Sequence, residues 1–145
     1  NQNGKILKII GQGSQIDQLK KLSQSNIEFL GFQTDDSLIE YYSNCKGLIF
    51  PGIEDFGITP LEAQSSGKPV IAFRKGGVLE TVIENETGIF FNKQTEKSLN
   101  EAIMKFESGK HNITSQKCLE NAKNFSNERF RIKIEEYISS IVLDL

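Results

Sequence analysis

Short apolar runs alternate along this chain with longer amphipathic stretches, and that alternation predicts an α/β domain built on a doubly wound parallel sheet. Two further observations support the class. The candidate strands are near-continuous apolar segments rather than alternating ones, as expected of strands covered on both faces. Each of the first four is also followed by glycine: Gly11 and Gly13, Gly31, Gly52 and Gly57, then Gly76 and Gly77. Beyond Lys93 the period turns helical, so the sheet is followed by C-terminal helices.

In chain order, Lys5 to Ile10 reads as a buried strand ended by Gly11-Gln12-Gly13-Ser14, with Ser14 placed to cap a helix through Ile16, Leu19 and Leu22. Ile27 to Leu30 is a second strand, ended by Gly31-Phe32. Asp35 or Asp36 starts the next helix, whose apolar face is Leu38, Ile39 and Tyr42. Gly47 to Phe50 is a third strand, and Leu61 to Ser66 lies in a helix stopped by Gly67. Pro69 to Phe73 is a fourth strand, Val78 to Ile83 a short helix, and Gly88 to Phe91 a last strand. Leu99, Ile103 and Phe106 mark one later helix; Cys118, Ala122 and Phe125 mark another; Phe130, Ile134, Tyr137 and Ile138 mark a third.

With 145 residues, the chain is expected to form one domain, residues 1–145. A formal net charge of −2 argues against a nucleic-acid partner. No apolar run reaches the roughly 20 residues a bilayer-spanning helix needs. Cys45 and Cys118 lack metal-ligand spacing and His111 is the single histidine, so neither a zinc site nor a disulfide framework is implied. His111 lies in a polar connection and is expected to be exposed. Asn112-Ile113-Thr114 reads as a chance match to a glycosylation acceptor. The expected setting is reducing and cytoplasmic.

The chemistry concentrates in Glu54-Asp55-Phe56-Gly57-Ile58-Thr59-Pro60-Leu61-Glu62, directly after the third strand. Open α/β sheets bind ligands in the crevice beyond the carboxyl ends of their strands. Carboxylates there accept hydrogen bonds from ligand hydroxyls, and backbone N–H groups at a helix start face an anion. In a parallel sheet the glycine-bearing loops share this edge, where the absence of Cβ lets backbone approach a ligand. A structural alternative stands beside this reading. Thr59-Pro60-Leu61-Glu62 fits a capping box, with Thr59 as N-cap, Pro60 first in the helix and Glu62 reaching back. Gly11-Gln12-Gly13 resembles the opening of a dinucleotide fingerprint, but Ile16 occupies the third glycine position, so it supports only a tight turn near a phosphate. Arg74 and Lys75 at the same edge are candidate positive charges, with exposed surface charge as the alternative. Glu80 reads as favouring a helix dipole, and Phe73, Phe90 and Phe91 read as core.

Pro51 to Ala63 resembles the donor-site signature of retaining glycosyltransferases of family 4, which have the GT-B fold with two Rossmann-like domains facing across a cleft. The surroundings agree in order: Ile27-Glu28-Phe29-Leu30-Gly31, then Gly67-Lys68-Pro69-Val70-Ile71-Ala72, Gly76-Gly77-Val78-Leu79-Glu80-Thr81-Val82, Thr87-Gly88-Ile89-Phe90-Phe91 and Phe125-Ser126-Asn127-Glu128-Arg129-Phe130. The resemblance covers nearly the whole chain, and its wording is closest to mannosyltransferase-like members that build bacterial surface polysaccharides.

The resemblance implies that Glu54 lies near the donor sugar and the reacting carbon, and that Glu62 binds the ribose hydroxyls. It implies that backbone N–H groups from Phe56 through Gly57 and Ile58 to Thr59 contact sugar and diphosphate. The loop of Gly31, Phe32, Gln33 and Thr34 would border the base. Apart from the resemblance, Gly13 in its tight turn and Lys75 at the sheet edge are candidate phosphate contacts. Transfer would proceed with retention from a nucleotide-diphosphate sugar, GDP-mannose first and UDP-linked donors open, with no metal or other cofactor required. The family's paired Arg and Lys would fall before Asn1, so the chain is expected to be the donor-binding half of a larger enzyme. It would lack the first βα unit and the N-terminal acceptor-binding domain, and would transfer no sugar alone. Peripheral attachment of the full-length enzyme to the inner face of the membrane is open. A nucleotide-sugar-binding module without transferase activity, or a GT-B sugar epimerase, are the alternatives.

Overall fold

A computed structural model describes residues 4–143. Among the described residues five strands and seven helices form in the predicted alternation, and every strand pair is parallel. The chain divides into two compact units, the first ending at Glu40 and the second beginning at Tyr41.

In the first unit, β1 (Leu7–Ile10) pairs with β2 (Ile27–Gly31) in a register that sets Leu7 beside Ile27 and Ile9 beside Phe29. β1 starts two residues later than the apolar pattern suggests, and before it the Lys5 carbonyl accepts from the Asn26 side chain (2.8 Å). Between the strands runs α1 (Ile16–Leu22). Its N-cap is Gln15 and no side chain caps it, contrary to the expectation for Ser14. The Ile16 amide instead donates to the Gly13 carbonyl (3.2 Å), which satisfies part of the first turn from the backbone. Helix α2 (Asp35–Asn44) begins where expected, with Asp35 and Asp36 in its first turn, and carries the chain into the second unit.

The second unit is organised on β3 (Leu48–Phe50), β4 (Val70–Phe73) and β5 (Gly88–Phe91), in the order β3-β4-β5. Phe50, Ala72 and Phe90 lie in register and share one face with Val70, packed against Ala63, Val78 and Val82. Ile71, Ile89 and Phe91 point the other way, onto Ala102 with Leu99, Ile103 and Phe106 beside it. Helices α3 (Ile58–Ser65) and α4 (Val78–Thr81) thus cover one face and α5 (Glu96–Glu107) the other. That double cover is why these strands carry apolar residues at consecutive positions. Thr95 caps α5 by accepting from the Ser98 amide, and Thr114 caps α6 (Ser115–Lys123) through Lys117. Phe125 falls just past α6. The last helix, α7 (Asn127–Leu143), exposes every side chain from Asn127 to Ile141.

A buried amide cluster ties three of these helices together. Gln64, fully buried on α3, donates from Nε2 to the carbonyls of Pro60 (3.2 Å) and Thr81 (2.9 Å). Asn121 of α6 donates from Nδ2 to Gln64 Oε1 (2.7 Å) and to the same Thr81 carbonyl (2.9 Å). Both side chains are buried and each of these donors and acceptors is paired, the condition under which buried polar groups hold a fold in one arrangement.

His111 is half-buried rather than exposed. Its ring stacks on Phe106 at 5.4 Å, Nε2 meets the Phe106 carbonyl (2.8 Å), and Nδ1 accepts from the Ile113 amide (3.3 Å). Since an amide only donates, Nδ1 is the bare nitrogen and the proton sits on Nε2. Both cysteines are free thiols, and burial pushes Cys118 up to about 11. No helix among the described residues is long and apolar enough to cross a membrane.

Replacing Asn121 with Ala strands Gln64 Oε1 in the core and should cost about 2–3 kcal/mol. Urea unfolding measures this; a change below about 0.5 kcal/mol, the scale of an ordinary surface substitution, would show the cluster to be dispensable.

Candidate functional site

All three strands of the second unit are parallel, so the segments after Phe50, Phe73 and Phe91 lie at one edge. The first, residues 51–57, carries Glu54 and turns into α3. It contains no regular structure of its own, and its shape is set by contacts from its neighbours.

Gln94, just after β5, donates from Nε2 to the Pro51 carbonyl (2.9 Å). The Gly77 amide, at the N-cap of α4, donates to the Glu54 carbonyl (2.8 Å). Phe125 meets Phe56 edge-on, with ring centroids 6.1 Å apart. The approach of the Gly76-Gly77 backbone is too close for any side chain. A Cβ on Gly77 would lie 2.4 Å from the Phe56 carbonyl oxygen and 2.5 Å from that of Asp55. The need for glycine here is steric, because Gly77 has an ordinary helical φ of −59°.

Gly57 ends the loop with a φ of +81°, a conformation that favours glycine, and is the N-cap of α3. Helix α3 therefore starts at Ile58, and the capping box built on Thr59 does not form: no side chain caps this helix. Pro60 is its third residue, where a missing N–H costs no hydrogen bond. The amides of Ile58 and Thr59 have no intrahelical acceptor by position, and they face the sheet edge with the positive end of the helix dipole. The Glu54 carboxylate lies over Gly57, with Oε2 4.0 Å from where a Cβ on that glycine would sit. Glu62, released from capping, is exposed one turn further along, and its Oε2 accepts from the Tyr42 hydroxyl (3.1 Å). Burial first, and then the Glu62 charge, hold that phenol far above its usual ionisation range.

Positive charge at this edge is divided. The Arg74 guanidinium pairs with Glu84 and lies 4.6 Å above the Phe90 ring, so it is engaged within the fold. Lys105 joins Glu84 from the other side at 3.6 Å. Lys75, next to Arg74, is exposed and makes no ion pair among the described residues.

Within the first unit, Gly31 ends β2 with a φ of +67°, and its carbonyl accepts from Gly11 (2.8 Å). The two glycine loops therefore adjoin. Gly13 and Gly31 line one open groove of about 600 Å³ with Gln12, Ile16 and Lys20. Two of the base-region side chains are engaged locally. Gln33 Nε2 donates to the Leu30 carbonyl (2.8 Å), and Thr34 Oγ1 accepts from the Ser37 amide (3.4 Å) at the start of α2. Phe32 is 74% exposed, which leaves an aromatic face open for stacking.

Gln94 lies in a polar stretch without a motif to mark it, and the sequence signal at Tyr42 is only an apolar one. The spacing signal for Tyr42 was its place on the apolar face of α2; nothing local pointed its hydroxyl at Glu62.

A three-stranded parallel sheet with a carboxylate loop seated on glycine and a bare helix start defines an α/β domain whose strand ends offer a ligand both a carboxylate and free amides. The profile of the family described as "Glycosyl transferases group 1" matches residues 2–125, and the chain belongs to that family. It is 44% identical over 91 residues to the alpha-1,3/1,6-mannosyltransferase ALG2 of Dictyostelium discoideum, covering 62% of this chain and 21% of that protein. It is 34% identical over 125 residues to an uncharacterised glycosyltransferase of Methanocaldococcus jannaschii, covering 82% and 35%. Its fold is similar to that of sucrose-phosphate synthase from Thermosynechococcus elongatus, with a TM-score of 0.79 at 23% identity, over 96% of this chain and 39% of that one. Anabaena HepE in complex with UDP-glucose is similar with a TM-score of 0.61 at 23% identity, over 97% and 41%. The fold is the Rossmann-like half of a GT-B glycosyltransferase. The chain spans about a fifth to a third of the curated relatives named here.

Gly77→Ala should displace the 54–56 backbone and weaken nucleotide-sugar binding at least tenfold by calorimetric titration. Lys97→Ala, an exposed position on α5 away from the loop, should leave it within twofold. Similar losses in both would show that the loop's seat is not what matters.

Arg74 holds the Glu84 carboxyl below its usual range, so this pair contributes stability fully above the unfolded-state value of about 4.3 and loses it as pH falls through the lower folded-state value. Wild type should therefore be more stable than Glu84→Gln at pH 7, and the gap should close on acidification. A gap independent of pH between 7 and 2.5 in urea titrations would contradict the assignment.

Proposed function

We propose that this chain is the donor-binding half of a retaining glycosyltransferase that holds a nucleotide-diphosphate sugar for transfer to a saccharide or lipid-linked acceptor in surface polysaccharide synthesis. The observation that carries the reading is the seating of Glu54 over Gly57 immediately before the unsatisfied amides of Ile58 and Thr59. One short segment thus offers a carboxylate to sugar hydroxyls and N–H groups to a diphosphate, with Phe56 and Gly57 between them.

In this reading Glu54 orients the donor sugar and stabilises the positive charge that develops at the reacting carbon. Ile58 and Thr59 amides, with Lys75 at the same edge, balance charge on the departing diphosphate. Gly13 serves as a phosphate contact and the Gly31–Thr34 loop borders the base, with Phe32 as its stacking face. Glu62 accepts from the ribose hydroxyls. No metal takes part in these steps, because charge on the leaving group is met by backbone and lysine. GDP-mannose is the first donor, supported by similarity to the mannosyltransferase ALG2. UDP-linked donors are the second reading, favoured by the likeness to HepE, whose structure holds UDP-glucose. The proposed setting is the cytoplasmic side of the membrane, with an acceptor-binding domain of the same protein completing the cleft.

Titration of GDP, UDP and their sugars tests this directly. Glu62→Ala should weaken nucleotide and nucleotide sugar alike by about 1.5–3 kcal/mol, roughly ten- to a hundredfold. Glu54→Ala should weaken only the nucleotide sugar. Equal loss of bare-nucleotide affinity in both variants, or no nucleotide binding at millimolar concentration, would overturn the assignment.

A further inference from the structure

We infer that Tyr42 is a positioning residue for Glu62, and that the pair sets how strongly this site prefers a ribonucleotide over its 2′-deoxy counterpart. The inference rests on the proposed ribose role of Glu62 and goes beyond it by assigning the geometry of that contact to a second residue.

The Tyr42 ring is half-buried against the cluster of Phe50, Ala63, Val70 and Val78, which fixes where its hydroxyl can reach. That hydroxyl donates to Glu62 Oε2 at 3.1 Å. Glu62 projects from α3 into solvent, with rotatable bonds that an exposed glutamate samples freely. A donor mounted on the core selects one orientation among these. Oε2 is then partly engaged, while Oε1 and the remaining lone pairs stay available to vicinal hydroxyls. The phenol remains a donor across the working pH range, since burial and the neighbouring carboxylate both oppose its ionisation. Without that hydroxyl, the carboxylate has to be ordered at the moment of binding, a cost of the size paid for immobilising one flexible side chain.

Tyr42→Phe keeps the ring and removes only the donor. The experiment titrates wild type, Tyr42→Phe and Glu62→Ala with whichever of GDP or UDP binds more tightly, and with the matching 2′-deoxynucleotide. In Tyr42→Phe the ribonucleotide should bind about three- to tenfold more weakly, with the deoxynucleotide less affected, so that the preference between them shrinks. Glu62→Ala should abolish the preference. The urea midpoint of Tyr42→Phe should match that of wild type, which separates positioning from packing. If Glu62→Ala loses affinity and preference while Tyr42→Phe retains both, the positioning role falls and the ribose role of Glu62 stands. If Glu62→Ala binds both nucleotides as wild type does, the ribose role falls and takes this inference with it.

Discussion

The Thr81 carbonyl receives two side-chain amides, from Gln64 and from Asn121, and the second unit depends on that convergence. Gln64 belongs to α3, Thr81 to α4 and Asn121 to α6, so one acceptor sets three helices relative to one another. Each amide is buried, and the loss of any member would leave another polar group unpaired in a low-dielectric interior. The starts of α3 and α4 follow from this. Gly57 and Gly77 are the N-caps of those helices, and the 54–56 backbone lies against the second and runs into the first. A core interaction thus controls a surface loop with no regular structure of its own.

Most of the architecture was legible because burial on both faces of a parallel sheet leaves a blunt mark. Val70–Phe73 and Gly88–Phe91 are apolar throughout, and both formed strands within one residue of the predicted limits. What local pattern could not decide was competition between backbone and side chain. Ser14 is a good cap by type, yet the Gly13 carbonyl took the Ile16 amide instead. Thr59 through Glu62 spells a capping box, yet a left-handed Gly57 let α3 begin at Ile58 and freed Glu62. His111 looked solvated because its neighbours in sequence are polar; its partners are the Phe106 ring and carbonyl, five residues back across a turn.

The candidate site divides in the same way. Glu54, Gly57 and Glu62 stood out because two carboxylates around a turn after an apolar strand are rare without a reason. The groups that hold them did not. Gln94 lies 43 positions from Pro51, Phe125 meets Phe56 from beyond α6, and Tyr42 reads as one more apolar residue on α2. Arg74 shows the converse. At the sheet edge it reads either as a candidate positive charge for the site or as exposed surface charge; it stays at the surface, where Glu84 and the Phe90 ring occupy its charge and its planar face.

The acceptor at the centre of the amide cluster is a main-chain atom, and that has a consequence for how this protein can vary. The Thr81 side chain is separately engaged, its hydroxyl reaching the Gly77 carbonyl at 3.3 Å. Any buried residue of similar volume at position 81 would still present the same carbonyl. A survey of side-chain replacements would therefore score the hub as unremarkable and assign its importance to Gln64 and Asn121. The amide pair carries the chemical specification, and the point they agree on is written in the backbone.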